Sequence, residues 1–358
     1  MGIKIGTNGI KGLIIFGVCI LCLNQSFSFE NKSSISKSLS KQSIIEDTKQ
    51  PGFCTIFCIS KGNSVFFGNN EDWKNPNTFL WTEQPTDSTY GVIYLGYQDL
   101  FPQGGINEKG LAFDANSLPG IKLNEHRELL KPYQAIVNTY IMQKCATVEE
   151  AIIMAKSYDW SQSFGGILRG QFMLADATGD AVVISADQNG EIVFTRKPKG
   201  DGYLISTNFN RANDKNRFGS GQCKRYNTTT EMLESALKKE NIPVEILAGV
   251  LNEVHEEGKI LNTLYSNIFD LAQGEIYLYY WHQFDEVFEI NAANWISINT
   301  EPKRISSLFK QEIVDKANNE FQKYKYLKTV MIIILSLIII TLLSTMYIKR
   351  KQEKLKKQ

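Results

Sequence analysis

The chain has 358 residues, of which 43% are apolar, and its 39 Lys and Arg nearly balance 38 Asp and Glu. That length and apolar content suffice for one large domain with its own core. A formal charge of +1 excludes the strongly basic balance of a chain that binds nucleic acid through its phosphates.

The two ends are biased and are set aside before the fold is read. Lys4 and Lys11 precede the apolar run "GLIIFGVCILCL" and a Ser26-Phe27-Ser28 cleavage pattern, so residues 1–28 read as a secretory signal peptide. A lipoprotein signal centred on Cys22 fits less well, because Leu21 stands where such signals carry a small residue. Residues 29–53, rich in Ser and Lys, are too polar to pack and read as an unstructured leader.

From Cys54 the patterns alternate between strand and helix. "CTIFCIS" and "SVFFGNN" flank the turn "KGN" as a hairpin, and "YGVIYLGY" and "GLAFDAN" add strands. Two helices follow, one from Pro132 through "YQAIVNTYIMQK" and one opened by Thr147 with Glu150 three residues on, a capping-box spacing. "GQFMLADATGDAVVISADQNGEIVFTRK" and "GYLISTN" resume as strands around Thr178-Gly179 and Asn189-Gly190 turns. "TTEMLESALKKEN" and "PVEILAGVLNEVHEEG" are helical, the second bounded by Pro243 and Gly258, and "EIYLYYWH" and "EVFEI" are the last strands. Hairpin-connected strands with helix pairs between them predict an α+β layered domain over residues 54–302, without internal repeats.

Residues 303–328 read as a helical stalk. Thr329 to Ile348 carries no charge over 20 residues, enough helix to cross a hydrocarbon core of about 30 Å. The basic tail, residues 349–358, predicts a cytoplasmic C-terminus and an extracytoplasmic domain on a single-pass anchor.

Four cysteines follow the signal: Cys54, Cys58, Cys145 and Cys223. In that compartment an even count suits disulfides. Cys54 and Cys58, however, lie on one face of one strand about 13 Å apart, too far to bridge each other, although either could pair with a distant cysteine. For Cys58, Cys145 and Cys223 the ordinary role is that of a small buried hydrophobe. His126, His255 and His282 have no ligand-like spacing to the cysteines, so neither a metal nor a cofactor is expected.

A Cys-His pair with His282, placed in a strand, is one way to activate a thiol. Another is available to a cysteine that becomes the first residue of a chain, because its own α-amine titrates at about 7.7 to 8.0. That chemistry requires cleavage at Phe53-Cys54.

"CTIF", "FFGNNEDW", "GINEKGLAFDANSLPG", "FMLADATGDAVVI" and "LISTNFN", in that order from Cys54 to about Ile290, resemble the N-terminal-nucleophile amidases of the choloylglycine hydrolase and penicillin V acylase superfamily, with their acyltransferase relatives. The resemblance implies a four-layer αββα sandwich and cleavage of linear, non-peptide amides. It implies Cys54 as nucleophile and Asp72 as the carboxylate that holds its amine. Asn116 falls at the oxyanion position of the acyltransferase branch, whereas the bile-salt branch places its asparagine where this chain has Ser117. Asn208 matches a second pocket asparagine, although an ordinary turn role competes, and Arg225 an arginine entering a helix beside the site. Asp176, in a turn, and Trp73, next to the site, read as structural.

One position departs from the pattern. The hydrolases usually carry arginine three residues before the aspartate, where this chain has Asn69, so a fixed positive charge beside the thiol is missing. The sequence therefore leaves three readings: an amidase acting on a small acyl amide, an acyltransferase using the same thioester, and a catalytically silent binding protein on the same fold. Substrate identity and oligomeric state are not encoded legibly.

Overall fold

Strand alternation decides the layering of this protein. The computed structural model describes residues 54–126, 131–132, 137–162, 164–213, 223–258, 261–298 and 300–356. The expected signal and leader lie outside the described residues, as do positions 133–136 at the head of the first expected helix.

The strands are β1 (Thr55–Lys61), β2 (Ser64–Trp73), β3 (Thr78–Glu83), β4 (Val92–Tyr97), β5 (Pro102–Asn107), β6 (Ala112–Lys122) and β7 (Lys131–Pro132). Helices α1 (Val137–Lys144) and α2 (Val148–Lys156) precede β8 (Tyr158–Asp159), β9 (Ile167–Ala175), β10 (Ala181–Ala186), β11 (Ile192–Lys197) and β12 (Gly202–Ser206). After α3 (Lys224–Leu237) and α4 (Val244–Glu253) come β13 (Asn262–Asp270), β14 (Glu275–Tyr280), β15 (Gln283–Asn291), α5 (Ala292–Ile298), β16 (Lys303–Arg304) and α6 (Gln311–Lys356).

Six strands form one sheet in the order β12-β1-β2-β13-β14-β15, and eight form another in the order β11-β10-β9-β6-β5-β4-β3-β16. Neighbours in both sheets are antiparallel; β7 and β8 form a separate short parallel pair.

Because successive side chains point to opposite faces, each central strand serves two cores at once. In β1, Ile56 and Cys58 face the other sheet, where they meet Leu95, Ile106 and Val183, while Phe57 and Ile59 face α3 and α4 through Leu233, Leu247 and Leu251. In β10, Val183 points inward and Val182 and Ile184 point outward, to a core shared with Ile141, Val148 and Ile152 of α1 and α2. The layers are therefore helices, sheet, sheet, helices. Each wholly buried Phe, Ile or Leu contributes about 1.5 to 3 kcal/mol of burial. Phe57 lies flat across its partner strand only because position 68 is glycine, where a Cβ would come within 2.4 Å of its ring.

Local signals explain the helix starts. Thr147 caps α2 by accepting from the Glu150 backbone N–H at 3.2 Å, and the Glu150 carboxylate reaches back to the Ala146 N–H at 2.6 Å. Asp176 accepts from the N–H groups of Thr178 and Val148, each at 2.8 Å, tying its turn to the start of α2.

The boundary expected at residue 302 falls short of the packed body. Lys303 and Arg304 pair with β3, Ile305 and Phe309 are buried, and the first turns of α6 dock through Ala317 and Phe321. These apolar residues recur at helical spacing among Lys, Glu and Asn, which is why the stretch reads as a free polar stalk in sequence. Farther along, α6 is the one helix among the described residues long and apolar enough to cross a membrane.

Candidate active site

Cys54 immediately precedes β1, an interior strand of the six-stranded sheet flanked by β12 and β2, so the neighbouring strands fix what surrounds it. It is 5% exposed. β2 runs antiparallel beside it, with Thr55 opposite Asn70, and presents Glu71 and the backbone N–H of Asp72 to the sulfur. The thiol lies 4.0 Å from Glu71 Oε2.

The five residues singled out in the sequence gather here, in unequal roles. Asn116, on β6 of the opposite sheet, donates from Nδ2 to the Cys54 carbonyl at 3.2 Å. Its orientation is dictated by a chain of donors. Gln171 Nε2 donates to Ser206 Oγ at 3.0 Å, so the Ser206 hydroxyl hydrogen goes to Asn116 Oδ1 and leaves the amide N–H groups facing Cys54. Gln171 is itself held by the carbonyls of Thr207 and Phe209 and by the Arg211 backbone N–H. Ser117, the alternative position, is exposed; strand alternation turns it away.

Arg225, in the first turn of α3, donates to the Cys54 carbonyl at 2.7 Å and to Thr55 Oγ1 at 2.9 Å, and it pairs with Glu256 at 3.4 Å. Asn208 accepts from Arg225 at 3.1 Å and donates to the Ser117 carbonyl at 3.0 Å. Asn208 thus steers the guanidinium.

Asp72 is wholly buried. Thr263 Oγ1 accepts from the Glu256 N–H at 2.8 Å and donates its own hydrogen to Asp72 Oδ1. Asp72 Oδ2 has no hydrogen-bond partner among the described residues. Burial pushes the Asp72 carboxyl well above its ordinary value, against the opposing pull of Thr263 and Arg225.

An acidic group that the sequence reading passed over faces the thiol. Glu71 accepts from the Tyr97 hydroxyl, and Tyr97 stacks on Trp73 with centroids 5.9 Å apart. Burial raises Glu71 to about 7, outweighing the hydrogen bond from Tyr97. Asp114, across from Glu71, is raised by burial and by Glu71 itself. It fits because Gly104 opposes it, where a Cβ would sit 2.2 Å from its Oδ2. Burial, then Glu71, then Asp72 push the Cys54 thiol well above its ordinary range. Glu71 was discoverable: two residues from Asn69 on a strand, it must share that residue's face.

His282 is not in a strand. It follows β14 in a left-handed turn with φ 41° and contacts Thr263 and Glu320 rather than the thiol. The four described cysteines are all free thiols, and Cys223 is only half-buried, against Thr207.

Two solved structures share this architecture. One is a substitution variant of conjugated bile acid hydrolase from Clostridium perfringens, with 17% identity and a TM-score of 0.54 over 70% of this chain and 96% of that one. The other is penicillin V acylase from Agrobacterium tumefaciens, with 17% identity and a TM-score of 0.55 over 70% of this chain and 90% of that one. No curated protein sequence matches. Fold and sequence together define the class, the N-terminal-nucleophile linear amide hydrolase superfamily. Within it, residues 59–285 match the model described as acyl-coenzyme A:6-aminopenicillanic acid acyl-transferase, and the chain belongs to that family.

Proposed function

We propose that this chain is a membrane-anchored cysteine amidase that hydrolyses the C–N bond of a linear, non-peptide acyl amide through a thioester on Cys54, once cleavage at Phe53-Cys54 has freed its amine. The observation that carries this reading is the convergence on Cys54 of an oriented Asn116 amide and the Arg225 guanidinium, beside a buried Asp72 whose Oδ2 lacks a donor among the described residues.

In this mechanism the α-amine takes the thiol proton as sulfur attacks the amide carbonyl. Asn116 Nδ2 donates to the developing oxyanion, an interaction worth about 3 to 4 kcal/mol at such sites. Asp72 Oδ2 accepts from the ammonium, which then protonates the leaving nitrogen as the C–N bond breaks. The amine next deprotonates a water that attacks the thioester, releasing a carboxylic acid and the free thiol. Burial and the carboxyls of Glu71 and Asp72 keep the proton on sulfur until the amine accepts it, so attack and proton transfer are coupled.

Membrane anchoring is supported by the surface of α6, where Met331, Ile334, Leu337, Ile339 and Leu342 are each half exposed or more, a cost that a hydrocarbon environment removes. The basic residues at its C-terminal end favour a cytoplasmic tail and an extracytoplasmic catalytic domain.

The test is intact mass and N-terminal sequencing of the membrane-purified protein, followed by turnover of a panel of acyl amides by wild type and Cys54→Ala. A chain beginning at Cys54 that cleaves amides, with the variant inactive, is expected; an active chain that retains its leader would overturn the mechanism. The family description favours one variant, acyl transfer to an amine, and an added amine acceptor distinguishes it by yielding a new amide instead of the acid.

A further inference from the structure

Helix α6 meets the domain at a cluster of imidazoles and carboxylates that the proposed chemistry does not use. Trp281 and His282 both have left-handed backbone, φ 57° and 41°, which residues with a Cβ adopt rarely and at a cost. The turn aims both rings at α6. Trp281 Nε1 donates to Glu320 Oε2 at 2.8 Å and its ring packs edge-on against Phe321, while the Tyr324 hydroxyl donates to Glu320 Oε1 at 3.0 Å.

The hydrogen bonds fix the tautomers. His282 Nδ1 lies 3.4 Å from the Thr263 carbonyl oxygen; a carbonyl only accepts, so Nδ1 carries the hydrogen. In the neutral ring, Nε2 is then a lone pair, and it faces Glu320 Oε2 at 3.4 Å. His255 stacks on His282, centroids 5.2 Å apart and planes within 6°, and repeats the arrangement: Nδ1 bonds the Asn252 carbonyl and Nε2 faces Glu257 at 4.0 Å. One ligand atom from each of Glu257, His282 and Glu320 lies within 4.8 Å of the other two. Lone pairs aimed at carboxylates repel unless a cation lies between them.

We propose that Glu257, His282 and Glu320 bind one divalent cation of the zinc class, with the His255 ring stacked on the ligand imidazole. An imidazole among the donors favours zinc or a similar transition ion over calcium or magnesium, which take oxygen. A ligand histidine whose other nitrogen donates to a carbonyl, as His282 does to Thr263, is the usual way such a ring is oriented. The cation pins the base of α6, which carries the apolar span, to the loop before β13. It also touches the candidate active site at one remove, because Thr263 holds His282 through its carbonyl and Asp72 through its hydroxyl. Spacing to cysteines conceals the site, since the partners of the histidine are carboxylates 25 and 38 positions away in sequence. The inference stands whether or not the amidase reading holds.

The experiment uses the full-length chain in detergent, stripped with a chelator, dialysed and titrated with Zn2+ alone, with bound metal and unfolding temperature as readouts. Wild type and His126→Ala, whose imidazole sits elsewhere against Glu191, are expected to retain one Zn2+ per chain. At a hundredfold excess over Kd, Zn2+ should raise their unfolding temperature by about 5 °C or more. His282→Gln and the exposed Glu257→Gln should each lose the metal and the shift. Wild type that retains no Zn2+ would mean a cluster held by a proton rather than a metal, and undiminished binding by both variants would place the metal elsewhere; either result overturns the assignment.

Discussion

Glu71→Gln is expected to stabilise the protein, and to do so increasingly as pH rises. The carboxyl is buried 4.0 Å from the Cys54 sulfur and stands at about 7 against an ordinary 4.5. A carboxyl raised in the folded state costs nothing below pH 4.5, where folded and unfolded chains are both protonated. Between pH 4.5 and 7 the unfolded chain gives up its proton and the folded one does not, so stability falls, and above pH 7 the loss levels off. At 1.36 kcal/mol per pH unit the plateau is about 3 kcal/mol. Glutamine keeps the shape and an acceptor oxygen for Tyr97 but cannot ionise. The stability difference between variant and wild type should therefore be small at pH 4.5 and approach about 3 kcal/mol at pH 8, or about 6 to 12 °C in unfolding temperature. Thermal unfolding followed by near-UV circular dichroism in detergent at pH 4.5, 6 and 8 measures it. A difference that is constant with pH, or shrinks as pH rises, would refute the claim that folding raises the Glu71 carboxyl.

Asn116→Ala should lower kcat by about 10²- to 10³-fold with KM little changed, and Ser206→Ala, which only frees the amide to rotate, should lower kcat less; steady-state kinetics on the same acyl amide rank the two, and the reverse order would contradict the orienting role. Thr263→Val removes a hydrogen bond that favours ionised Asp72, so the acid limb of the kcat/KM profile should move to higher pH; an unmoved limb would detach Asp72 from the rate. Phe67→Ala, which deletes a wholly buried ring stacked on Phe269 at 6.2 Å, should cost about 3 to 5 kcal/mol in urea unfolding, and a loss under 1 kcal/mol would mean that the inter-sheet core closes over the gap.

Much of the domain was legible because its signals are local. The hairpin of β1 and β2 follows from two alternating runs around "KGN", and α2 from a cap with its acid three residues on. β13 was missed for the opposite reason. Its sequence "NTLYSNIFD" holds five polar residues of nine and looks like loop, yet Thr263, Ser266 and Asn267 are buried. Thr263 is polar because Asp72 needs a donor, and Ser266 because its hydroxyl serves Asn70 Oδ1 at 2.6 Å. The strand beside the site loses its hydrophobic pattern to the site's own chemistry. β3 was hidden similarly, within "EDWKNPNTFLWTEQPTDSTYG", where flanking Pro and Asn residues mark turns on either side of a six-residue strand. Asn116 could be separated from Ser117 only in three dimensions, since the one-residue choice is a choice of sheet face.

The replacement of arginine by Asn69 has a larger consequence than the loss of one charge. With Glu71 on the same strand face and Asp114 opposite, the side of the thiol that lacks the guanidinium is lined by carboxyls, with Tyr97 between the sheets. Arg225 cannot substitute for it, because its donors are committed to the Cys54 carbonyl, Thr55 and Asn208, and its charge is shared with Glu256. Such surroundings oppose a standing thiolate at any pH where the carboxyls ionise. In the proposed mechanism only the α-amine can then take the sulfur's proton, and an amine joined to Phe53 in a peptide bond has no basicity. Under that mechanism, removal of the leader would be the step that makes the thiol reactive. A site with a fixed cation beside its sulfur would hold part of that reactivity before cleavage, whereas under the proposed mechanism the carboxyls around Cys54 would keep an uncleaved chain inert.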